Sequence, residues 1–275
     1  MTSANIFNPA QMPDPDLVKQ AQAAIDEFAQ SSAPGIWPAI NKEQLITEMR
    51  SRIQDPFSVD QGRQPFCGPS SILFELIRRN PPKYVQICRN LYQVGGFNAQ
   101  TKWVQPSDKL RLSKGNLQMP QADWMVVATL RESENLLFPV QPDAPDIIRN
   151  ISGMTKPWEM QGWVQEILGY RDAKVTTAFV MGDFQVMQEA TDILNAGGVA
   201  LMLITAEGLL SNSPPPIPFP SHWVALAGDV SIQTGSFTKP GRISFDIFTW
   251  ARKMHIDVAE GPFKSYFWAA VTGRP

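Results

Sequence analysis

The chain contains two cysteines and two histidines, so few residue pairs could supply a nucleophile and a base. Cys67 opens the run CGPSSILFELIRR, in which an apolar segment ends in two arginines. Pro69 suits the first turn of a helix, and a basic pair suits its last turn. A thiol at the positive end of a helix has its thiolate stabilised, and the thiolate is the nucleophilic form. The run predicts a helix over 67–79 with a reactive cysteine at its start.

The other interpretation of a free cysteine is a small, buried core residue. Cys88 fits it, because it belongs to the apolar stripe of a helix predicted over 83–94 and has no turn or cap to activate it. Cys67 differs, since it lies in a Gly-Pro turn that can expose it and follows Gln61 and Gly62 by a short gap. We therefore predict that Cys67 is the reactive thiol and that Cys88 lies in the core.

Of the two histidines, His222 is the better candidate for a base. It follows the proline-rich segment 212–220 and opens a strand predicted over 223–227. The alternative is a histidine at a strand end that only satisfies a loop carbonyl. His255 lies in a polar segment that we interpret as a surface connection. No further His, Cys or carboxylate residues stand at metal-ligand spacing, and no glycine-rich phosphate loop is present, so no cofactor is predicted.

Gln61-Gly62, a short gap, and a cysteine that opens an apolar helix resemble the papain-like cysteine proteases. The segment from His222 to Gly228 is similar to the strand that carries the base in that family. The resemblance implies that Cys67 attacks an amide carbonyl and that His222 moves the proton. It also implies that Gln61 and the Cys67 backbone N–H hold the oxyanion. The Cys-Gly-Pro opening is closest to bacterial papain-like peptidases and to toxin or effector domains.

The third catalytic position of that family departs from its usual pattern here. An Asn or Asp often precedes a Ser-Trp pair, and Thr249-Trp250 resembles the pair, but Phe248 stands where the Asn is expected. Asp246 projects to the same side of the predicted strand as Phe248, because side chains alternate along a strand. Asp246 is therefore the predicted third residue, with Asp229 as a weaker alternative. A Cys-His dyad without a third residue remains the other interpretation.

The composition limits the partners. There are 24 Lys and Arg residues against 26 Asp and Glu residues, so nucleic acid is not expected to bind. The longest apolar run, 197–205, is too short to span a bilayer, and no signal peptide is evident. Two cysteines in a long chain indicate a reducing compartment. These features predict a cytoplasmic protein, or one exported without a cleaved signal peptide.

Predicted helices come first and predicted strands second, which is typical of an α+β fold. We expect an amino-terminal tail and helical extension at 1–54, and a papain-like catalytic domain at 55–275. Within it, a short strand is expected at 109–112, and the charged run 131–135 is interpreted as a solvated helix end.

The predicted activity is cysteine-dependent amide acyl transfer, by a protease or deamidase. The resemblance implies a protein or peptide substrate, and for a toxin or effector an inhibitor or immunity partner. The alternatives are a transglutaminase-type acyl transferase and a non-catalytic binding protein on the same fold.

Overall fold

The computed structural model describes residues 12–62, 64–113, 119–138, 154–211, 213, 215–235 and 239–275. Their order confirms a mixed α+β fold, with most helices before the sheet. The helices are α1 (Pro15–Gln30), α2 (Lys42–Gln54), α3 (Cys67–Arg79), α4 (Pro81–Gln93), α5 (Asp108–Leu112), α6 (Gln121–Leu137), α7 (Pro157–Trp163), α8 (Ala178–Met181), α9 (Asp183–Asn195), α10 (Ala206–Leu210) and α11 (Glu260–Tyr266). The strands are β1 (Phe97–Asn98), β2 (Trp103–Val104), β3 (Asp172–Thr177), β4 (Val199–Ile204), β5 (His222–Gln233), β6 (Arg242–Thr249), β7 (Arg252–Ala259) and β8 (Phe267–Arg274).

Side-chain caps fix the starts of three amino-terminal helices. Asp14, Asn41 and Asn80 accept hydrogen bonds from backbone N–H groups at the starts of α1, α2 and α4. Such acceptors satisfy donors that the first turn of a helix leaves free. The helix α3 differs, because no side chain caps its start at Cys67. Its first-turn donors are therefore not taken up by a capping side chain.

Six strands form one antiparallel sheet in the order β3-β8-β4-β5-β6-β7. Every residue of β4 is buried, as expected for a central strand that is covered on both faces. At the end of β4, Ile204 pairs with His222 on one side and with Phe267 on the other. The carboxyl end of β4 and the amino ends of β5 and β8 therefore lie next to one another, at the same end of these three inner strands.

The two faces of the sheet bury separate clusters. Trp223, Ala225 and Phe248 pack with the helical half of the chain, and Val224 and Leu226 pack on the side of α9. The first cluster also contains residues of α1 and α2, so the hydrophobic core runs continuously across the predicted boundary between 54 and 55. The helix α3 lies directly on β5 and β6, where Phe74 stacks on Phe248 with ring centroids 4.3 Å apart.

Three local predictions are wrong. Residues 109–112 belong to the helix α5, because Ser107 accepts a hydrogen bond from the N–H of Leu110 and starts a helical turn. His255 is exposed but lies on β7 and not in a connection, because Trp250 and Ala251 adopt positive φ and turn the chain back in a two-residue hairpin. The charged run 131–135 is not a solvated end, since Glu134 is fully buried.

The sequence also predicts a long loop over 138–156, because this segment contains several prolines, and residues 139–153 of it lie outside the described residues. None of the described helices is long and apolar enough to cross a bilayer.

Candidate active site

Cys67 is the first residue of α3, and the residue is 4% exposed. Burial raises the pKa of the Cys67 thiol to about 11 because it disfavours the charged form. The backbone N–H groups of Trp223 and Gly68 act in the opposite direction, since they donate hydrogen bonds that favour the thiolate. The desolvation effect is the larger one, so Cys67 is a neutral thiol at pH 7.

His222 is buried at the start of β5, where its Nε2 lies 2.6 Å from the Thr249 hydroxyl oxygen. The Trp250 ring covers the imidazole at a centroid distance of 5.1 Å. Burial lowers the pKa of His222 to about 4, and no charged group among the described residues opposes this shift. The imidazole is therefore neutral at pH 7 and can accept a proton.

The fold brings the two predicted segments together. The Cys67 sulfur accepts from the backbone N–H of Trp223, the residue that follows His222. Within the described chain, no hydrogen bond joins the sulfur to the imidazole. Strand alternation accounts for this, because Trp223 faces α3 while Val224, and by extension His222, belongs to the opposite side. For proton transfer between the two side chains, the imidazole has to move past the start of β5 to the side that faces Cys67.

Gln61 lies in the loop before α3 and is half-buried. Its amide donates to the carbonyl of Gln64 at 3.5 Å, and no hydrogen bond to Cys67 is formed within the described residues. The loop itself is anchored, because the N–H of Asp60 donates to the Asp123 carboxylate at 2.9 Å. Gly62 completes the turn with φ +60°, a conformation that glycine adopts without steric cost. The structure thus holds the Gln61 loop in place without directing the amide at the sulfur.

Asp246 does not reach His222. It pairs with Gly228 in the sheet, six residues along β5 from His222, which corresponds to about 20 Å at the rise of a β-strand. Its carboxylate binds Lys253 at 2.6 Å and His255 at 2.7 Å. Burial raises the pKa of Asp246, but hydrogen bonds from Lys253 and His255 outweigh it, so the pKa lies below its usual value. Asp246 and Asp229 therefore belong to an ionic cluster around Lys253 that is remote from His222.

Thr249, and not Asp246, is the side chain that orients His222. The sequence offered one signal for it, the Thr249-Trp250 pair itself. Phe248 takes the expected Asn position but packs against α3, so the neighbouring hydroxyl approaches the imidazole instead.

A buried polar group near Cys67 was not predicted. Thr155 donates through its hydroxyl to Glu134 at 2.7 Å, and its carbonyl accepts from the Trp223 indole N–H at 2.7 Å. Both Thr155 and Glu134 are fully buried. The only signal was the position of Glu134 on α6, where a polar run follows an apolar one.

The assignment of Cys88 to the core is confirmed. Cys88 is fully buried, and burial raises the pKa of its thiol further than that of Cys67. No group of three or more His, Cys, Asp or Glu residues that could hold a metal ion occurs in the described ranges.

Replacing Thr249 with valine tests the orientation of His222. The change removes the partner of a buried imidazole nitrogen, so we expect unfolding free energy to fall by about 1–3 kcal/mol. Nitrogen-15 NMR should show the His222 Nε2 resonance moving in Thr249→Val, while Asp246→Asn should move only His255 Nδ1. A shift of His222 in Asp246→Asn would contradict the observed pairing.

Comparison with known proteins does not identify a family for the chain. No model of a known protein family matches the chain, and no curated protein is similar to it in sequence.

Proposed function

We propose that the protein is a cysteine-dependent amide hydrolase of papain-like fold, a protease or a deamidase, with Cys67 as its nucleophile. One observation carries this proposal: the sulfur at the uncapped start of α3 lies against the amide next to His222. Two segments far apart in the chain thus lie side by side, one with a thiol at a helix start and the other with a neutral imidazole on the opposite side of the adjoining strand start. This is the set of groups that nucleophilic acyl transfer requires.

In the proposed reaction, Cys67 is the nucleophile, His222 transfers the proton and Gln61 helps to stabilise the oxyanion. The Cys67 sulfur attacks the amide carbonyl carbon while its proton passes to His222. The oxyanion of the tetrahedral intermediate accepts hydrogen bonds from the Cys67 backbone N–H and from the Gln61 amide after the Gln61 side chain rotates away from the Gln64 carbonyl. The carbon–nitrogen bond then breaks, and the nitrogen takes the proton from His222. Water, activated by His222, attacks the thioester and releases the carboxylic acid and the thiol.

The site has to open before this chemistry starts. The thiol pKa of about 11 and the imidazole pKa of about 4 make proton transfer from Cys67 to His222 unfavourable while both groups are buried. Desolvation is the first cause of both pKa shifts, so contact with water or a polar substrate lowers this cost. Trp250 is 39% exposed and covers the imidazole, which makes it the residue to move aside.

The substrate we propose is a protein or peptide amide, in the manner of a bacterial toxin or effector that acts in the cytoplasm or is exported without a cleaved signal peptide. An inhibitor or immunity protein would then cover the Cys67 side. If an amine replaces water as the acceptor, the same thioester gives a transglutaminase-type product. The near-balance of acidic and basic residues gives no reason to propose nucleic acid as a partner.

A non-catalytic binding protein on the same fold is the second candidate. It is favoured by the burial of Cys67 and by the separation of Asp246 from His222. In that case the thiol is a packing residue at the helix start, and Thr249 holds the imidazole permanently.

Alkylation separates the two candidates. With iodoacetamide at pH 7.5, we expect Cys67 to react at least about tenfold faster than Cys88 in the folded protein, because it lies at a helix start that can open, whereas Cys88 lies within a buried helix face. Peptide mapping by mass spectrometry gives both rates in one sample. His222→Ala should slow the Cys67 reaction and leave the Cys88 rate unchanged. Equal rates for the two cysteines would favour the binding protein.

A further inference from the structure

The Glu134 carboxyl is buried close to the candidate nucleophile and has no part in the reaction described above. It lies on α6, which packs against α3, and it is fully buried. One oxygen accepts from the Thr155 hydroxyl at 2.7 Å and from the Trp163 indole N–H at 3.3 Å. The other oxygen accepts from the Arg131 guanidinium.

Thr155 connects this carboxyl to both halves of the site. Its side chain packs on Gly68, so closely that a Cβ at Gly68 would lie 2.3 Å from the Thr155 hydroxyl oxygen. Its carbonyl accepts from the indole of Trp223, the residue whose backbone N–H faces the Cys67 sulfur. The contact chain from Glu134 through Thr155 therefore ends on the residues that follow Cys67 and His222.

The titratable groups around Glu134 come from three helices. Arg131 lies one turn earlier on α6, Glu159 lies on α7, and Cys67 lies at the start of α3. Glu159 is itself held by the backbone N–H of Lys156 at 2.6 Å. Burial and the proximity of Glu159 raise the pKa of Glu134 to about 7, and Arg131 and Thr155 oppose the rise. The negative charge of Glu134 in turn disfavours the thiolate of Cys67, while the positive charge of Arg131 favours it.

We propose that Glu134 is a positioning residue that, through Thr155, holds the start of α3 against β5, and that its carboxylate charge restrains the ionisation of Cys67. The inference rests on the proposed role of Cys67 as nucleophile. It makes the site pH-sensitive through a group that does not touch the substrate.

The sign of the effect follows from the contacts. Below the pKa of Glu134 the carboxyl is neutral and does not oppose the thiolate. As pH rises through that value the carboxylate forms, and the thiolate becomes harder to make at the same pH. The logarithm of the Cys67 alkylation rate should therefore rise with a slope below one between about pH 6 and 8, whereas an isolated thiol gives a slope of one below its pKa.

The test is the pH profile of Cys67 alkylation by iodoacetamide, measured by peptide mapping. Wild type should show the reduced slope. Glu134→Gln keeps an acceptor for Thr155 but removes the charge, so its slope should return to one, with a rate about threefold to tenfold higher at pH 8. Glu132→Gln is the matched control, because Glu132 is an exposed carboxylate on the same helix, and its profile should equal that of wild type. Identical slopes in wild type and Glu134→Gln would overturn the proposal.

Thr155→Val keeps the test decisive if Glu134→Gln does not fold. This variant removes the hydroxyl that donates to Glu134, but the backbone carbonyl of residue 155 still accepts from the Trp223 indole N–H. It should change the pH profile of Cys67 alkylation. Thr155→Ser keeps a hydroxyl and should give the wild-type profile. Unchanged profiles in both Thr155 variants would refute the positioning role. These outcomes do not depend on amide cleavage. A protein with the predicted profile but no hydrolytic activity would support this inference and count against the proposed function.

Discussion

Cys67→Ala is expected to lower amide cleavage by more than about a thousandfold, because no other described side chain at the site can form the thioester. The fold should persist, since the change removes one sulfur from a helix start and leaves the rest of α3 intact. His222→Ala should have a loss of similar size. The double variant should lose little more than either single variant, since the two residues act as one unit. Cleavage of denatured casein and ammonia release from glutamine-containing peptides measure the two forms of the reaction.

Cys88→Ala is the matched control for this comparison. Its thiol is fully buried in the core, so the change should cost stability of about 1–2 kcal/mol and leave the cleavage rate unchanged. Circular dichroism and urea unfolding separate the two effects. Full turnover in a folded Cys67→Ala protein would exclude Cys67 as the nucleophile. Loss of turnover in a folded Cys88→Ala protein would show that the roles of the two cysteines are reversed.

The helices could be predicted well because their signals are local. Apolar residues, a proline in the first turn, a basic pair in the last turn and the prolines that follow gave α3 with its observed bounds. The strand β7 was missed because its existence depends on a hairpin turn at Trp250 and Ala251, two residues that rarely adopt positive φ. Burial of Glu134 was missed for a related reason, since it depends on partners in α7 and before it that are distant in sequence.

The candidate site shows the same division between local and long-range information. The position of Cys67 at a helix start and of His222 at a strand start followed from neighbouring residues. The partner of His222 depended on the register between β5 and β6, where the pairing of Ala225 with Phe248 sets what lies near the imidazole. A change in register cannot be read from one strand alone. Asp246 was therefore assigned to the wrong histidine, and Thr249 was noted only as part of a family-like pair.

The loop that carries Gln61 depends on a buried ion pair. Arg52 of α2 and Asp123 of α6 form it at 2.7 Å, with side chains that are 7% and 0% exposed. Arg52 also donates to the Ser58 hydroxyl at 3.0 Å, and Asp123 accepts from the N–H of Asp60. The pair thus joins two helices and fixes the segment that leads to Gln61.

Arg52→Ala is expected to lower the unfolding free energy by about 3–5 kcal/mol, because it leaves the Asp123 carboxylate buried without its cation. Burial already raises the pKa of Asp123 to about 6 against the Arg52 contacts, and removing Arg52 raises it further. A folded-state pKa above the unfolded value means that the cost is present at high pH and relieved as pH falls through the folded pKa. Urea unfolding should therefore show a smaller loss at pH 5 than at pH 8.

Arg50→Ala provides the matched control on the same helix. Arg50 pairs with Asp26 where both side chains are about half exposed, so its removal should change stability little at either pH. Replacing Arg52 with methionine and Asp123 with leucine together should recover much of the lost stability, because no buried charge then remains. If Arg52→Ala lost no more stability than Arg50→Ala, the buried pair would not be what anchors the Gln61 loop. Anchoring of that loop would then depend on the turn at Gly62 and on the packing of Val59, which is fully buried.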